Sequence, residues 1–347
     1  APAAGAGLPL YSTGCFLRDF QPSKAPVTEG SRMKQEYPAL AVKRPKLRRY
    51  LYNNWQLYVM LLVPFAYFLL FKYVPMFGNI LAFRRFRPLT GPFGVRWEGL
   101  RYFRQFMGQG DFWRAFFNTL SLAALNLIIN FPVPIIFAVM LNELRSLRFK
   151  KLVQTVSYMP RFVSTVVVVS ILTELLSPSS GALNRLIQSV TGNPPVFYMN
   201  EASYFRPLYI LTDMWQFMGW SAIIYLAAIT GISADLFEAA RIDGAGRFQL
   251  IWYVTIPSIM PTIMIMFILR VGHLLSVGFE KILLMYTPSN SVVSDVIDTY
   301  VYRMSIAATA PQYSYATAIG LFSGIIGLVL VSSANLLARR LTGESIY

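Results

Sequence analysis

Cysteine and histidine are almost missing from this chain of 347 residues: Cys15 and His273 are the only examples. One cysteine permits no intrachain disulfide and no thiolate zinc cluster. One histidine argues against a His-rich metal site or a Ser-His-Asp triad. Charge is scarce as well, at 14% of residues, where soluble globular proteins carry about 25%. So few charges do not solvate a globular surface. Acidic residues are scarcest, 16 Asp and Glu against 31 Lys and Arg, for a net charge of +15. Such an excess commonly signals nucleic-acid binding. Here the bases lie in loops and tails between apolar runs, the pattern of the positive-inside rule, so no nucleic-acid partner is expected. There is no Gly-x-x-x-x-Gly-Lys-Ser/Thr loop for nucleotide phosphates and no His-Glu-x-x-His zinc signature.

Hydrophobic residues are abundant, at 55%, and the mean hydropathy is +0.48. A bilayer core of about 30 Å takes about 20 apolar residues as helix. Six stretches qualify: 57–83 (interrupted by Lys72 and Pro75), 119–141, 162–176, 208–229, 259–275 and 316–338. The expected fold is an all-α polytopic membrane protein with six transmembrane helices. Lys43, Arg44, Lys46, Arg48 and Arg49 precede the first span. Arg145, Arg148, Lys150 and Lys151 follow the second, and Arg339 and Arg340 close the sixth. These sites share one side, the cytoplasmic one, which places both termini inside. The segment from Arg84 to Arg114 disagrees, since it holds seven arginines and falls outside. Pro132 and Pro134 are expected to kink the second span. Gly320, Gly324 and Gly327 are expected to pack closely in the sixth.

Residues 1–42 are rich in Ala, Gly, Pro and Ser without a period, and read as a disordered cytoplasmic tail. Met33 is an alternative start. Ser12-Thr13-Gly14-Cys15 lacks the charged start and apolar core of a signal peptide. Residues 43–341 form the transmembrane domain, and 342–347 a short C-terminal tail. No internal repeat is present.

Between the fourth and fifth spans lies a segment, about 233–257, that a tether would not need. Ser233 is placed to cap a helix and Asp235 to favour its first turn. Leu236, Ala239, Ala240 and Ile242 make an apolar stripe. Gly244 and Gly246 permit a corner. Phe248, Ile251 and Trp252 form a second stripe before Pro257. A loop with apolar faces at a membrane surface docks on something. Glu238-Ala239-Ala240, Gly244 and Val254-Thr255-Ile256-Pro257 resemble the EAA motif of ABC importer permeases, with Val and Ile standing for the usual Ile and Leu. The resemblance runs from about Tyr50 to Tyr347 and points to the carbohydrate branch of lipoprotein and alginate type. Lys72-Tyr73-Val74-Pro75 is similar to that group's first span. Ser157-Tyr158-Met159-Pro160-Arg161-Phe162 resembles the start of its third, with Arg161 replacing the more usual His. Gly278-Phe279-Glu280-Lys281 and 295–303 resemble its last external segment.

The resemblance implies a type I ABC importer permease fold in a bacterial inner membrane, with a cytoplasmic coupling-helix loop. It implies that Glu238, Ala239, Ala240, Arg241, Asp243, Gly244, Arg247 and Pro257 meet an ATPase. Further implied partners are a paralogous second permease, two ATPase subunits, an extracytoplasmic solute-binding protein, an oligosaccharide and membrane lipid. No cofactor is expected on this chain; ATP and Mg belong to the ATPases, and the chain is not itself an enzyme.

Ionisable residues within spans default to functional candidates. Asp213, Trp215, Gln216, Trp220 and Tyr225 lie in the fourth span, Arg270 and His273 in the fifth. Asp213, Gln216 and Trp220 recur at i, i+3 and i+7 and so share a face. Flat aromatics beside hydrogen-bonding groups suit a sugar, and the resemblance to maltose-type permeases supports a central cavity. Packing and interfacial roles for the tryptophans, and a structural role for His273, stay open. Arg270 requires a carboxylate, either from Asp213, Glu174 or Glu280, or from the cargo, which would then contain uronate. The alternatives are a permease for another solute class and, further off, a membrane scaffold or embedded enzyme.

Overall fold

A computed structural model describes residues 51–88, 91 and 93–342. The expected N-terminal tail, Met33, the bases from Lys43 to Arg49 and residues 343–347 lie outside the described residues. The chain divides into two compact units, Ala1–Pro64 and Phe65–Tyr347. In the first, the helix that begins at Trp55 continues through Pro64.

Among the described residues, four helical runs are long and apolar enough to cross a membrane: Trp55–Ala82, Gly110–Asn142, Arg247–Gly272 and Tyr313–Arg340. Two bent pairs raise the number to six. Leu147–Phe162 meets Thr165–Leu175 at 99°, and Ala202–Thr230 meets Ala234–Ile242 at 69°. The spans therefore start and stop differently from the hydropathy boundaries. The second begins nine residues before Thr119, because Gly110–Leu125 is helical through a mixed polar and aromatic stretch. Arg114 thus belongs to this helix and not to the preceding loop. The third is two helices. Its first closes in a tight turn at Met159–Phe162, and Ser164 opens the next by accepting from the Val167 amide at 3.4 Å. The fourth begins at Ala202, so Asp213 lies about three turns inside the helix.

Pro132 lies within the second span, which runs on past it as one helical stretch, Gly110–Asn142. Proline lacks an amide hydrogen and its ring clashes with the carbonyl four residues earlier. Here that carbonyl, Ile128, sits in a π-helical turn, Asn126–Asn130, which gives the ring room. The same device precedes Pro75, at Leu69–Tyr73, and Pro257, at Leu250–Thr255. The helices widen and run on.

Three apolar clusters hold the second unit. One gathers Leu122, Val169, Phe205, Tyr209, Ile282 and Val296. A second joins Ala82, Phe106 and Phe112 to Tyr300, Tyr315 and Ile319. The third packs Ala138 and Leu141 of the second span on Ala222, Tyr225, Ile229 and Ile259. The Tyr300 and Tyr315 hydroxyls lie 2.9 Å apart, and both donate to Gln109 Oε1.

Close packing at glycine occurs where the sequence does not advertise it. A Cβ at Gly320, Gly324 or Gly327 would meet nothing within 4 Å. At Gly219 it would collide with the Ser157 carbonyl, because the fourth span crosses the third directly there. Overpacking costs about 1–3 kcal/mol or more. Gly219→Val is accordingly expected to lower the thermal midpoint of the detergent-solubilised chain; an unchanged midpoint would show that these backbones do not approach.

Candidate functional site

Two places collect the candidate residues. The first is the surface after the fourth span. Ser233 Oγ accepts from the Asp235 amide at 3.3 Å and opens the helix Ala234–Ile242. Gly244 adopts φ +84°, a left-handed corner that side chains resist. The Gly246 amide donates to Gln249 Oε1 at 2.7 Å, and the chain enters the fifth span at Arg247. The second apolar stripe expected after the corner thus lies on the first turns of the fifth span itself. Arg247 forms a two-pronged contact with Glu143 Oε2, at 2.8 Å from Nη2 and 3.1 Å from Nε. That pair ties the corner to the end of the second span.

Glu238, Arg241 and Arg247 line an open groove of about 1360 Å³ together with Asn142, Glu143 and Phe237. Ala239, Asp243 and Pro257 lie outside that groove. Ala240, Asp243 and Gly244 border a smaller hollow with Tyr253. The helix and the turn after it expose large apolar groups, with Ile242 87%, Phe248 81% and Tyr253 79% accessible. Apolar area of this kind on a surface loop marks an interaction face.

The second place is a cleft among the second, fourth and fifth spans. Two adjoining cavities, of about 530 and 600 Å³, share Asp213, Phe217 and Arg270 as walls. Asn130, Phe131, Tyr225 and Met266 complete one; Asn126, Tyr209, His273 and Ser276 complete the other. Asp213 is the hub. Its Oδ2 accepts from Asn126 Nδ2 at 2.9 Å and from Asn130 Nδ2 at 3.4 Å. Arg270 stands 4.0 Å away and donates to Asn126 Oδ1. Lys281 Nζ reaches Asp213 Oδ1 at 3.6 Å, donates to the Tyr209 carbonyl at 3.1 Å and sits over the Tyr209 ring. Burial pulls the Lys281 ammonium down to about 8, against the opposing effect of the Asp213 carboxylate. Arg270 keeps a half-exposed guanidinium, at 46%, facing the cavities.

Of the seven residues expected on the path, the structure brings four to the cleft: Asp213, Tyr225, Arg270 and His273. Gln216 is buried elsewhere and donates to the Val163 carbonyl at 3.0 Å, in the bend of the third span. Trp220 packs edge-on against Phe162, and Trp215 is half exposed away from both cavities. The shared face was real, but seven residues climb about 10 Å of helix, and over that distance the neighbour changes from the second span to the third. Phe131 and Phe217 supply the flat surfaces instead. Arg270 finds Asp213; Glu174 accepts from Ser180 at 2.9 Å. Asn126 and Asn130 were legible as polar residues four apart, on one face of an apolar span. Lys281 carried no such signal. Among the described residues, no three His, Cys, Asp or Glu converge to hold a metal.

Lys281 is buried and Arg270 is not, so their removal should differ. Breaking a buried ion pair from one side costs about 3–5 kcal/mol, and an exposed pair about 0–1 kcal/mol. Lys281→Met is expected to lower the thermal midpoint in detergent well beyond Arg270→Gln, with Lys281→Arg recovering part. Equal midpoints for the two would deny Lys281 its role as the buried counterion.

Residues 130–343 match the family described as "Binding-protein-dependent transport system inner membrane component". The chain is 44% identical to a polygalacturonan/rhamnogalacturonan transport system permease protein of Bacillus subtilis, over 94% of this chain and 98% of that one. It resembles a solved bacterial ABC transporter involved in import of the acidic polysaccharide alginate, with TM-score 0.78 and 40% identity over 85% of this chain and 99% of the other. A bacterial alginate ABC transporter in complex with an alginate pentasaccharide-bound periplasmic protein matches with TM-score 0.79 and 39% identity, over 86% and 99%.

Proposed function

The chain belongs to the binding-protein-dependent transport inner-membrane components, multi-pass permeases of ABC importers, and from that premise we propose that it forms half of a path for acidic, uronate-containing oligosaccharides. The observation that carries this reading is Arg270. Its guanidinium lines both cavities, half exposed beside Phe131, Phe217 and Tyr225. Asp213 is already held by Lys281 and two asparagine amides, which leaves Arg270 a free edge for a cargo carboxylate. Guanidinium and carboxylate match in a two-pronged geometry that ammonium does not offer. The aromatic faces suit the C–H faces of sugar rings. Relatives whose names carry polygalacturonan and alginate support the same chemistry.

A second, paralogous permease completes the path, and a solute-binding protein delivers the cargo on the outer side. Both termini lie in the cytoplasm. Two ATPase subunits bind ATP and Mg and carry out hydrolysis, and one of them seats the helix Ala234–Ile242. The exposed Glu238 and the apolar side chains around it make the contact, and Gly244 allows the corner. Motion of that helix reaches the cleft by short routes. The fourth span leads into it, the fifth begins just after it, and Arg247–Glu143 holds the second. Those are the three spans that wall the cleft. Alternating access then follows: closure of the ATPases pulls the seat, and the walls open outward to receive sugar.

Transport by Arg270→Gln, measured with acidic and neutral oligosaccharides of equal length in the assembled importer, tests the cargo. Selective loss of the acidic substrate is expected; equal loss of both, or no loss, would remove the uronate assignment. Glu238→Lys should leave the assembled complex intact and strongly reduce sugar-stimulated ATP hydrolysis, since truncating a buried interfacial charge costs about 2–5 kcal/mol. Undiminished stimulation would move the ATPase seat elsewhere.

A further inference from the structure

The arginine-rich segment that contradicts the positive-inside rule is not a featureless loop. Arg84–Arg85 and Arg96–Trp97 pair as a short antiparallel ribbon, with Arg84 opposite Trp97 and Arg85 opposite Arg96. Ser314, at the start of the sixth span, pins it: the Phe86 amide donates to Ser314 Oγ at 2.9 Å, and that hydroxyl donates to the Arg84 carbonyl at 2.7 Å. Phe83 and Trp97 stack at 5.8 Å between ring centres, and Phe103 stacks on Phe83. The ribbon is therefore a fixed platform.

Its two faces differ in chemistry. Side chains alternate along a strand, so Arg96 and its partner Arg85 share one face while Trp97 belongs to the other. Both arginines are exposed. Like charges directly opposite on a ribbon destabilise it, with Cβ atoms about 5 Å apart. The nearest acid relieves them only in part: Glu98 feels both arginines but makes its direct ion pair with Arg101, at 3.0 Å, and Asp111 bonds Arg114 at 3.0 Å. An anion bridging Arg85 and Arg96 would relieve them directly. Around this pair the surface is apolar. Phe93, Val95, Trp97 and Leu100 are each more than half exposed, and Phe77, 70% exposed, carries the apolar surface back into the first span. Paired guanidinium groups on one face and a tryptophan on the other, continuous with a membrane span, match the headgroup level of a bilayer.

We propose that this ribbon is a binding site for an anionic phospholipid, with Arg85 and Arg96 on one face bridging the headgroup phosphate and Val95 and Trp97 on the opposite face reaching the acyl boundary. The site anchors the end of the first span against the start of the sixth. It also gives Arg85 and Arg96 a role that the positive-inside rule does not supply.

The test uses the full-length chain in nanodiscs of phosphatidylcholine doped with brominated phosphatidylglycerol or brominated phosphatidylcholine. The difference in quenching between the chain and its Trp97→Phe variant isolates Trp97. Two surface arginines are expected to bring half-quenching at a roughly thirtyfold lower fraction of the anionic lipid. R85Q/R96Q should abolish that preference and R85K/R96K should retain most of it. Equal quenching by both lipids, or a preference that survives R85Q/R96Q, overturns the site. Loss of the preference on adding a soluble uronate oligomer would assign the arginine pair to cargo and overturn it as well.

Discussion

A carboxylate three turns inside a membrane helix persists only where cations and amides surround it, and Asp213 is so surrounded. Two asparagines of the second span, an arginine of the fifth and a lysine from the segment beyond it converge there. An isolated charge at such depth costs about 2.5–3.5 kcal/mol on insertion scales, so these partners are not interchangeable decoration. Their convergence fixes where three spans approach, and the cavities are the room left beside the contact. Lys281 and Arg270 divide the work by burial. One is sealed against the Tyr209 ring, and the other remains half open to whatever enters.

The sequence made parts of this legible for definite reasons. Six apolar runs, the Ser233 cap and the Gly244 corner are local features, set by composition and backbone preference within a few residues. Arg270 demanded a carboxylate, and Asp213 was among the three that could answer. Helical spacing placed Gln216 and Trp220 on the face of Asp213 without saying what crosses that face higher up. The third span does, and it takes both residues out of the cleft. Gly219 looked unremarkable beside the glycine series of the sixth span, yet only tertiary crossing decides which glycine meets a backbone. Lys281 could not be found because nothing in its own segment reports a carboxylate on the fourth span.

The prolines show a related gap. Their chemistry forbids an ordinary turn, and a break or kink is the simplest expectation. The chain places a π turn ahead of Pro75, Pro132 and Pro257. A wider turn is equivalent to one extra residue, and each residue advances a helix by about 100°. The face that Asn126 begins is thus turned before Phe131 and Pro134 continue it, and both of those still line the cleft.

The Arg247–Glu143 pair implies a coupling that runs opposite to the route proposed from helix to cleft. If the groove after the fourth span and the cleft share three spans, their occupants are thermodynamically linked. Coupling free energy between two sites is reciprocal. On the proposed reading, whatever factor an ATPase at the groove imposes on the cleft's affinity for sugar, sugar in the cleft would impose on the groove's affinity for the ATPase. A filled cleft would then report itself at the distant groove through an ion pair that lines the groove and not the cleft.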